Sequence, residues 1–330
     1  MITGLGFNAG AVESSRQIFW PTPDQSFAEA KPLEAFIQPT ASGRIESGLF
    51  GCTRNDGRRF HEGIDIKPAH RDRQGEATDP ILAAMPGRVA YINTVAGHSG
   101  YGRYIVLEHS ELDVPVYTLY AHLRSVEPGL REGQRVEAGQ RIGVMGRSAS
   151  FAIPRHLAHL HFEVGVRLTD QFATWFDQQR LGSPNHHGVW NGMNLIGTDP
   201  LAFYETVRDG QFTGMRDYLE GLPTAFTLRV LTTRVPDFVN RYPRLLTTPV
   251  PREGVVGWVI DFTWYGLPKR WTPLKAADLT EPGREGDIAL LSYDPALLHG
   301  QCRPTVVLRE GSEPELGRFL RVTLQKVFGF

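Results

Sequence analysis

The stretch HLHFEV (159–164) decides how this chain reads. His159, His161 and Glu163 alternate strictly with Leu160, Phe162 and Val164. A period of two is the signature of a half-buried β-strand, because successive side chains point to opposite faces. The apolar set is therefore expected to fill a core while two imidazoles share the other face. Upstream, FHEGIDI (60–66) carries His61 and Asp65, four residues apart. Gly63 and Pro68 disfavour a helix interior there, so an extended chain again puts the pair on one face. Gly63 between them leaves room for close approach.

Two imidazoles and a carboxylate suit zinc. Catalytic zinc typically takes three protein ligands and keeps one position open. Such a set leaves one net positive charge on the centre, which still depresses the pKa of a bound water. Hydrolysis also needs a proton acceptor and a donor toward the developing oxyanion. His159 and His122 are available for those roles. Tyr120 precedes His122 by two residues in YTLYAHL (117–123) and is expected on its strand face. Tyr120 and Arg147 are the candidate substrate contacts.

Outward from these motifs, short apolar segments alternate with glycine turns over residues 46–166. They are RVAYIN (88–93), RYIVLEH (103–109), VYTLYAHL (116–123), RIGVMG (141–146) and HLHFEV itself. Short connections point to a mainly β, antiparallel unit. Residues 167–200 read as a long irregular excursion, the kind of loop that often carries function. Residues 1–45 read as an extended lead-in. Residues 205–330 read as a smaller α+β unit with strands near 225–235, 254–266, 287–294 and 305–310. Its end, PELGRFLRVTLQKVF (314–328), is expected to be an amphipathic helix with Pro314 near its start and basic residues opposite the apolar stripe. The expected division is thus 1–45, 46–204 and 205–330.

Composition narrows the function classes. A chain of 330 residues suggests about two domains. A net charge of −1 excludes a protein that grips nucleic acid by bulk electrostatics. No apolar run is long enough for a transmembrane helix. The first twenty residues lack a basic start followed by an apolar core, so no signal peptide is legible. Cys52 and Cys302 do not make a disulfide framework; two buried thiols are the simpler expectation, one long-range bridge the alternative.

The order of motifs resembles the lysostaphin-type (LytM-domain) zinc metallopeptidases, which cut peptide bonds in bacterial peptidoglycan. The matching segments are SGLFG (47–51), FHEGIDI (60–66), PILAAMPGRVAYI (80–92), GYGRYIVLEH (100–109), YTLYAHL (117–123), GQRVEAGQRIGVMG (133–146) and HLHFEV (159–164). The resemblance implies one zinc per chain held by His61, Asp65 and His161, with His122 and His159 as the non-ligand catalytic histidines. It implies a twisted antiparallel sheet with a groove along the metal site and peptidoglycan peptides as partner. It also implies a place in the cell envelope, so a leader is expected to have been removed ahead of Met1. Two segments depart from the pattern, KPAHRDRQGEATD (67–79) and GRSASFAIPRHLA (146–158), and both are expected to border the groove.

Other readings compete with this one. A non-catalytic relative that binds peptidoglycan or activates an amidase would be expected to lose ligands, whereas all five positions are kept. A biotinyl or lipoyl carrier would use the glycine turns of 133–146, but no lysine occurs between Lys67 and Lys269 to take the group. Trp264, Tyr265 and Trp271 with Lys269 and Arg270 suit glycan or peptide binding, against a packing role. The lead-in or the C-terminal unit is further expected to be able to cover the groove.

Overall fold

The computed structural model describes residues 18–40, 42–279 and 283–329. Its centre is a seven-stranded antiparallel sheet. The strand Leu160–Arg167 lies between Val116–Ala121 and Leu195–Thr198, and its first residues also pair with Ile64–Ile66. The sheet continues from Val116–Ala121 through Tyr104–His109 and Gly87–Asn93 to Arg135–Val136. A three-stranded sheet of Pro80–Leu82, Arg141–Val144 and Ser125–Val126 and a hairpin of Gly51–Arg54 with Arg59–His61 flank it.

The alternation in HLHFEV does what its chemistry requires. Leu160, Phe162 and Val164 are fully buried in the main core, each worth roughly 1.5–3 kcal/mol. His161 and Glu163 face the other way. The register sets His161 directly opposite Asp65 on one side and Ala121 on the other. Directly opposed residues share a face, so the sheet brings together side chains ninety-six positions apart. Gly63 marks the close approach: a Cβ there would lie 2.1 Å from the Phe162 carbonyl oxygen.

The second face of the sheet is also covered. Tyr104, Val106, Tyr117, Leu119 and Ala121 pack there with Trp190 and Leu195. Those last two belong to the excursion 167–200, which is more ordered than its composition indicates. It contains the helix Phe172–Gln179, two short 3₁₀ turns and the strand Leu195–Thr198. With both faces covered, the strand Val116–Ala121 is buried at every position.

The C-terminal region builds a four-stranded antiparallel sheet in the order Pro268–Leu274, Gly257–Phe262, Phe226–Leu231 and Ile288–Tyr293. The strand Pro268–Leu274 is hidden in the sequence behind an aromatic and basic cluster. Trp271 and Tyr265 are core residues, Lys269 is buried against the Glu220 and Leu222 carbonyls, and Arg270 pairs with Asp261. That cluster is packing rather than a binding surface. The final helix runs from Arg318 to Phe328, four residues beyond Pro314, behind a short strand at Glu315–Leu316. Leu320, Leu324 and Val327 enter the core, and Arg318 and Arg321 are exposed. Lys326 breaks the expected polar face, because it is buried. Cys52 and Cys302 form a disulfide that joins the hairpin to this region, so the alternative of a long-range bridge holds and not that of two thiols. Among the described residues no helix is long and apolar enough to cross a membrane.

Candidate metal centre

The ligand atoms of His61, Asp65 and His161 all lie within 4.8 Å of one another, and all three side chains are buried. Each is aimed by a hydrogen bond on its far side. His61 donates Nδ1–H to the Leu49 carbonyl at 2.8 Å, which turns the Nε2 lone pair inward. His161 donates Nε2–H to Glu163 Oε1 at 2.8 Å, which leaves Nδ1 facing Asp65 and His61. Asp65 is divided. Oδ1 faces His61 and His161 at 3.2 and 3.1 Å, while Oδ2 accepts from Thr40 Oγ1 at 2.7 Å and from Arg54.

Glu163 completes the support. It is buried, accepts from Tyr101 Oη at 2.6 Å and from Tyr117 Oη at 2.8 Å, and so holds its carboxylate against His161. Burial and the Glu163 charge push both tyrosines well above their ordinary pKa, which keeps them as O–H donors. A carboxylate behind a ligating histidine fixes its tautomer and raises its basicity.

The electrostatics favour a cation at the focus. Burial alone would raise the Asp65 pKa, but His61, His159 and Arg54 hold it well below the usual range. Burial lowers His61. For His161 burial is outweighed by hydrogen bonds to Asp65 and Glu163, which hold it up at about 9. Arg54 Nη2 stands 2.7 Å from the inward lone pair of His61 and also touches Asp65. Convergent acceptors that already draw in a guanidinium nitrogen form a site suited to a positive ion. A His, His, Asp donor set whose far sides are hydrogen-bonded matches what zinc uses at a three-ligand site.

His122 and His159 stand beside this set. Their ring centroids are 4.6 Å apart, and His122 is 6.0 Å from His161. His122 follows its strand with φ +60, so the alternation stops there. Nδ1–H of His122 donates to the Ser148 carbonyl and that of His159 to the Leu157 carbonyl. In both rings Nε2 is then the free lone pair. His159 Nε2 is buried without a hydrogen-bond partner among the described residues and lies 3.6 Å from Asp65 Oδ1. Burial pushes both histidines below their ordinary value, His122 the further.

Two expected substrate contacts fall elsewhere. The left-handed turn at His122 separates it from Tyr120, which points into the core; its hydroxyl accepts from the Ala84 amide and from Thr118. Arg147 is held by both oxygens of Glu76 and by the Ile153 carbonyl, so its donors are spent on a loop contact. Glu76 also binds Arg155, so it ties loop 67–79 to loop 146–158 outside the cleft. Of those two loops, only Phe151 lines the cleft. Thr40 and Arg54 were not legible in the sequence, since neither shares a motif with the ligands.

The centre opens into a cleft of about 610 Å³, a size ordinary for a ligand site. Its lining comes from residues 98–101 and Phe60, from the excursion through Phe176, Leu181 and Met193, and from the C-terminal region through Arg303, Phe319 and Lys326. The C-terminal region thus contributes lining to the cleft.

The part of the chain that carries His61, Asp65, His122, His159 and His161 matches a known family. The sequence pattern of peptidase family M23 matches residues 59–172. Lipoprotein NlpD of Yersinia enterocolitica is 32% identical over 93 residues, which is 28% of this chain and 84% of that protein. The Lipoprotein NlpD/LppB homolog of Pseudomonas aeruginosa is 35% identical over 105 residues, 32% of this chain and 29% of that protein. The Murein hydrolase activator NlpD of Escherichia coli is 31% identical over 135 residues, 40% of this chain and 28% of that protein. The chain therefore spans under a third of the length of the last two relatives.

Proposed function

This chain belongs to peptidase family M23, and from that membership we propose that it is a zinc-dependent endopeptidase hydrolysing peptide bonds in bacterial peptidoglycan, in cross-links or stem peptides. The observation that carries the reading is the pair of free Nε2 lone pairs of His122 and His159, the latter buried, beside the convergent His61, Asp65 and His161. Zinc bound there supplies Lewis acidity toward a carbonyl oxygen and toward water.

The chain's own residues supply the rest. His159 and His122 are neutral at neutral pH because burial disfavours their charged forms, so either can accept a proton. We assign the acceptor to His159, since Asp65 Oδ1 at 3.6 Å is placed to stabilise the imidazolium that results. His122 is the second proton site beside it. The Leu157 and Ser148 carbonyls hold these two rings in their orientations, as the Leu49 carbonyl holds that of His61.

A second reading is a protein of the same fold that binds peptidoglycan or activates an amidase without hydrolysis. Arg54 favours it, because its Nη2 occupies the His61 lone pair that a metal needs. Digestion of defined muropeptides, read by mass spectrometry with and without a chelator, separates the two. The peptidase reading expects zinc-dependent cleavage that His161→Ala abolishes together with zinc content. Cleavage at the native rate by His161→Ala, or no cleavage by the zinc-loaded chain, sinks it. The cell envelope is the proposed location, in keeping with relatives named as lipoproteins.

A further inference from the structure

The cleft is not electrically balanced. Arg54, Arg59, Arg303 and Lys326 line it, and Glu62 is its only lining carboxylate. Arg54 is answered by Asp65, outside the lining, and Arg303 by Glu62. Arg59 is exposed, and no hydrogen bond or ion pair of its side chain is found among the described residues. Lys326 is 6% exposed, and among the described residues its ammonium meets one backbone carbonyl, that of Met193, and the face of Trp175 at 4.9 Å, with no carboxylate. Burial, with the Arg303 charge nearby, pulls Lys326 down to about 7. A buried cation left without a counterion is costly unless something else supplies one.

The placement is built. Phe319, Val322 and Lys326 lie at i, i+3 and i+7 on the final helix and turn one stripe into the cleft. Arg303 follows Cys302 directly, so the disulfide holds it over Phe60 at 3.8 Å and Phe319 at 4.4 Å. All of these except Arg59 and Phe60 lie outside residues 59–172, so this lining belongs to the chain's own C-terminal region.

We propose that Lys326 and Arg59, with Arg303, Phe319 and Val322 beside them, form a carboxylate-binding subsite that selects peptides carrying a free carboxylate next to an aliphatic segment. The inference rests on the peptidase reading only for the peptide nature of the ligand. The charge pattern supplies the carboxylate, because a charge-assisted hydrogen bond to an ammonium or guanidinium is the interaction these donors offer.

The test uses the zinc-loaded full chain and a labelled synthetic peptide, Ala-D-Glu-Lys-D-Ala. One version has both carboxylates free, a second has the glutamyl carboxyl amidated, and a third the C-terminal carboxyl amidated. Binding is read on mixing by fluorescence polarisation at low salt, and products are read afterwards by mass spectrometry. The free acid is expected to bind about ten-fold tighter than one of the amides, and which amide it is identifies the carboxylate held. Lys326→Met and Arg59→Ser are each expected to shrink that ratio; Arg59 is exposed, so its variant folds independently of the buried position. Equal binding of acid and amides by the wild type, or a ratio that either substitution leaves intact, overturns the subsite. Carboxylate-selective binding without hydrolysis would instead remove the peptidase reading and leave the subsite standing.

Discussion

Replacing Glu163 by Gln tests whether the metal centre depends on the network behind it. The carboxylate takes three donors: His161 Nε2 at 2.8 Å and Tyr101 Oη at 2.6 Å on one oxygen, and Tyr117 Oη at 2.8 Å on the other. An amide of the same shape keeps one acceptor oxygen and replaces the other by a donor. One tyrosine hydroxyl or the imidazole N–H must then lose its partner at a buried position, which costs about 1–3 kcal/mol of stability. The charge that raises the basicity of His161 disappears as well. Removing such an outer partner typically costs 10–100-fold in metal affinity, about 1.4–2.7 kcal/mol. Zinc affinity is measured by competition with a chromophoric chelator, and circular dichroism shows that the fold is retained. The expected result is a Kd for zinc raised at least about ten-fold in a folded variant. A Glu163→Gln protein that is folded and binds zinc within about two-fold of wild type would refute the claim that Glu163 sets the tautomer and basicity of His161.

Two further outcomes concern stability. Burial holds His109 neutral and down at about 4, with its ring bonded to the Pro86 carbonyl and Thr118. Between pH 6.5 and 4 the unfolded chain binds a proton that the native state refuses. Stability present above pH 6.5 is therefore lost as pH falls toward 4, by about 3 kcal/mol. Urea unfolding at a series of pH values should show a shallower acid slope in His109→Gln, and an unchanged slope would remove His109 from the account. The Cys52–Cys302 disulfide closes a separation of 250 residues. Its removal by Cys52→Ser with Cys302→Ser is expected to lower the unfolding free energy by about 2–5 kcal/mol. A urea midpoint that does not move on reduction of the wild type would show that the bridge does not constrain the chain.

Much of the centre is legible in the sequence, for a local reason. Period-two alternation in HLHFEV fixes which side chains share a face. His161 and Glu163 therefore had to face away from the core that Leu160, Phe162 and Val164 fill. Gly63 likewise announced a close approach, and the Phe162 carbonyl is what it approaches. The same rule failed at Tyr120. It assumes that the strand continues through His122, whereas the backbone there turns left-handed and sends the two side chains apart. It failed again at 268–274, where Pro273 and a basic aromatic cluster concealed a strand that Trp271 anchors in the core.

The sequence by itself determined the mainly β, antiparallel architecture and singled out His61, Asp65, His161, His122 and His159 as a candidate set. All of these follow from alternation and from motif order along one contiguous stretch. Only the tertiary structure decided what surrounds them. Thr40 reaches Asp65 from the lead-in, Arg54 reaches it from a hairpin pinned to Cys302, and Lys326 enters the cleft from the last helix. These contacts join segments tens to hundreds of residues apart. Local periodicity carries no record of such contacts, because it reports which face a side chain takes and not what is packed against that face.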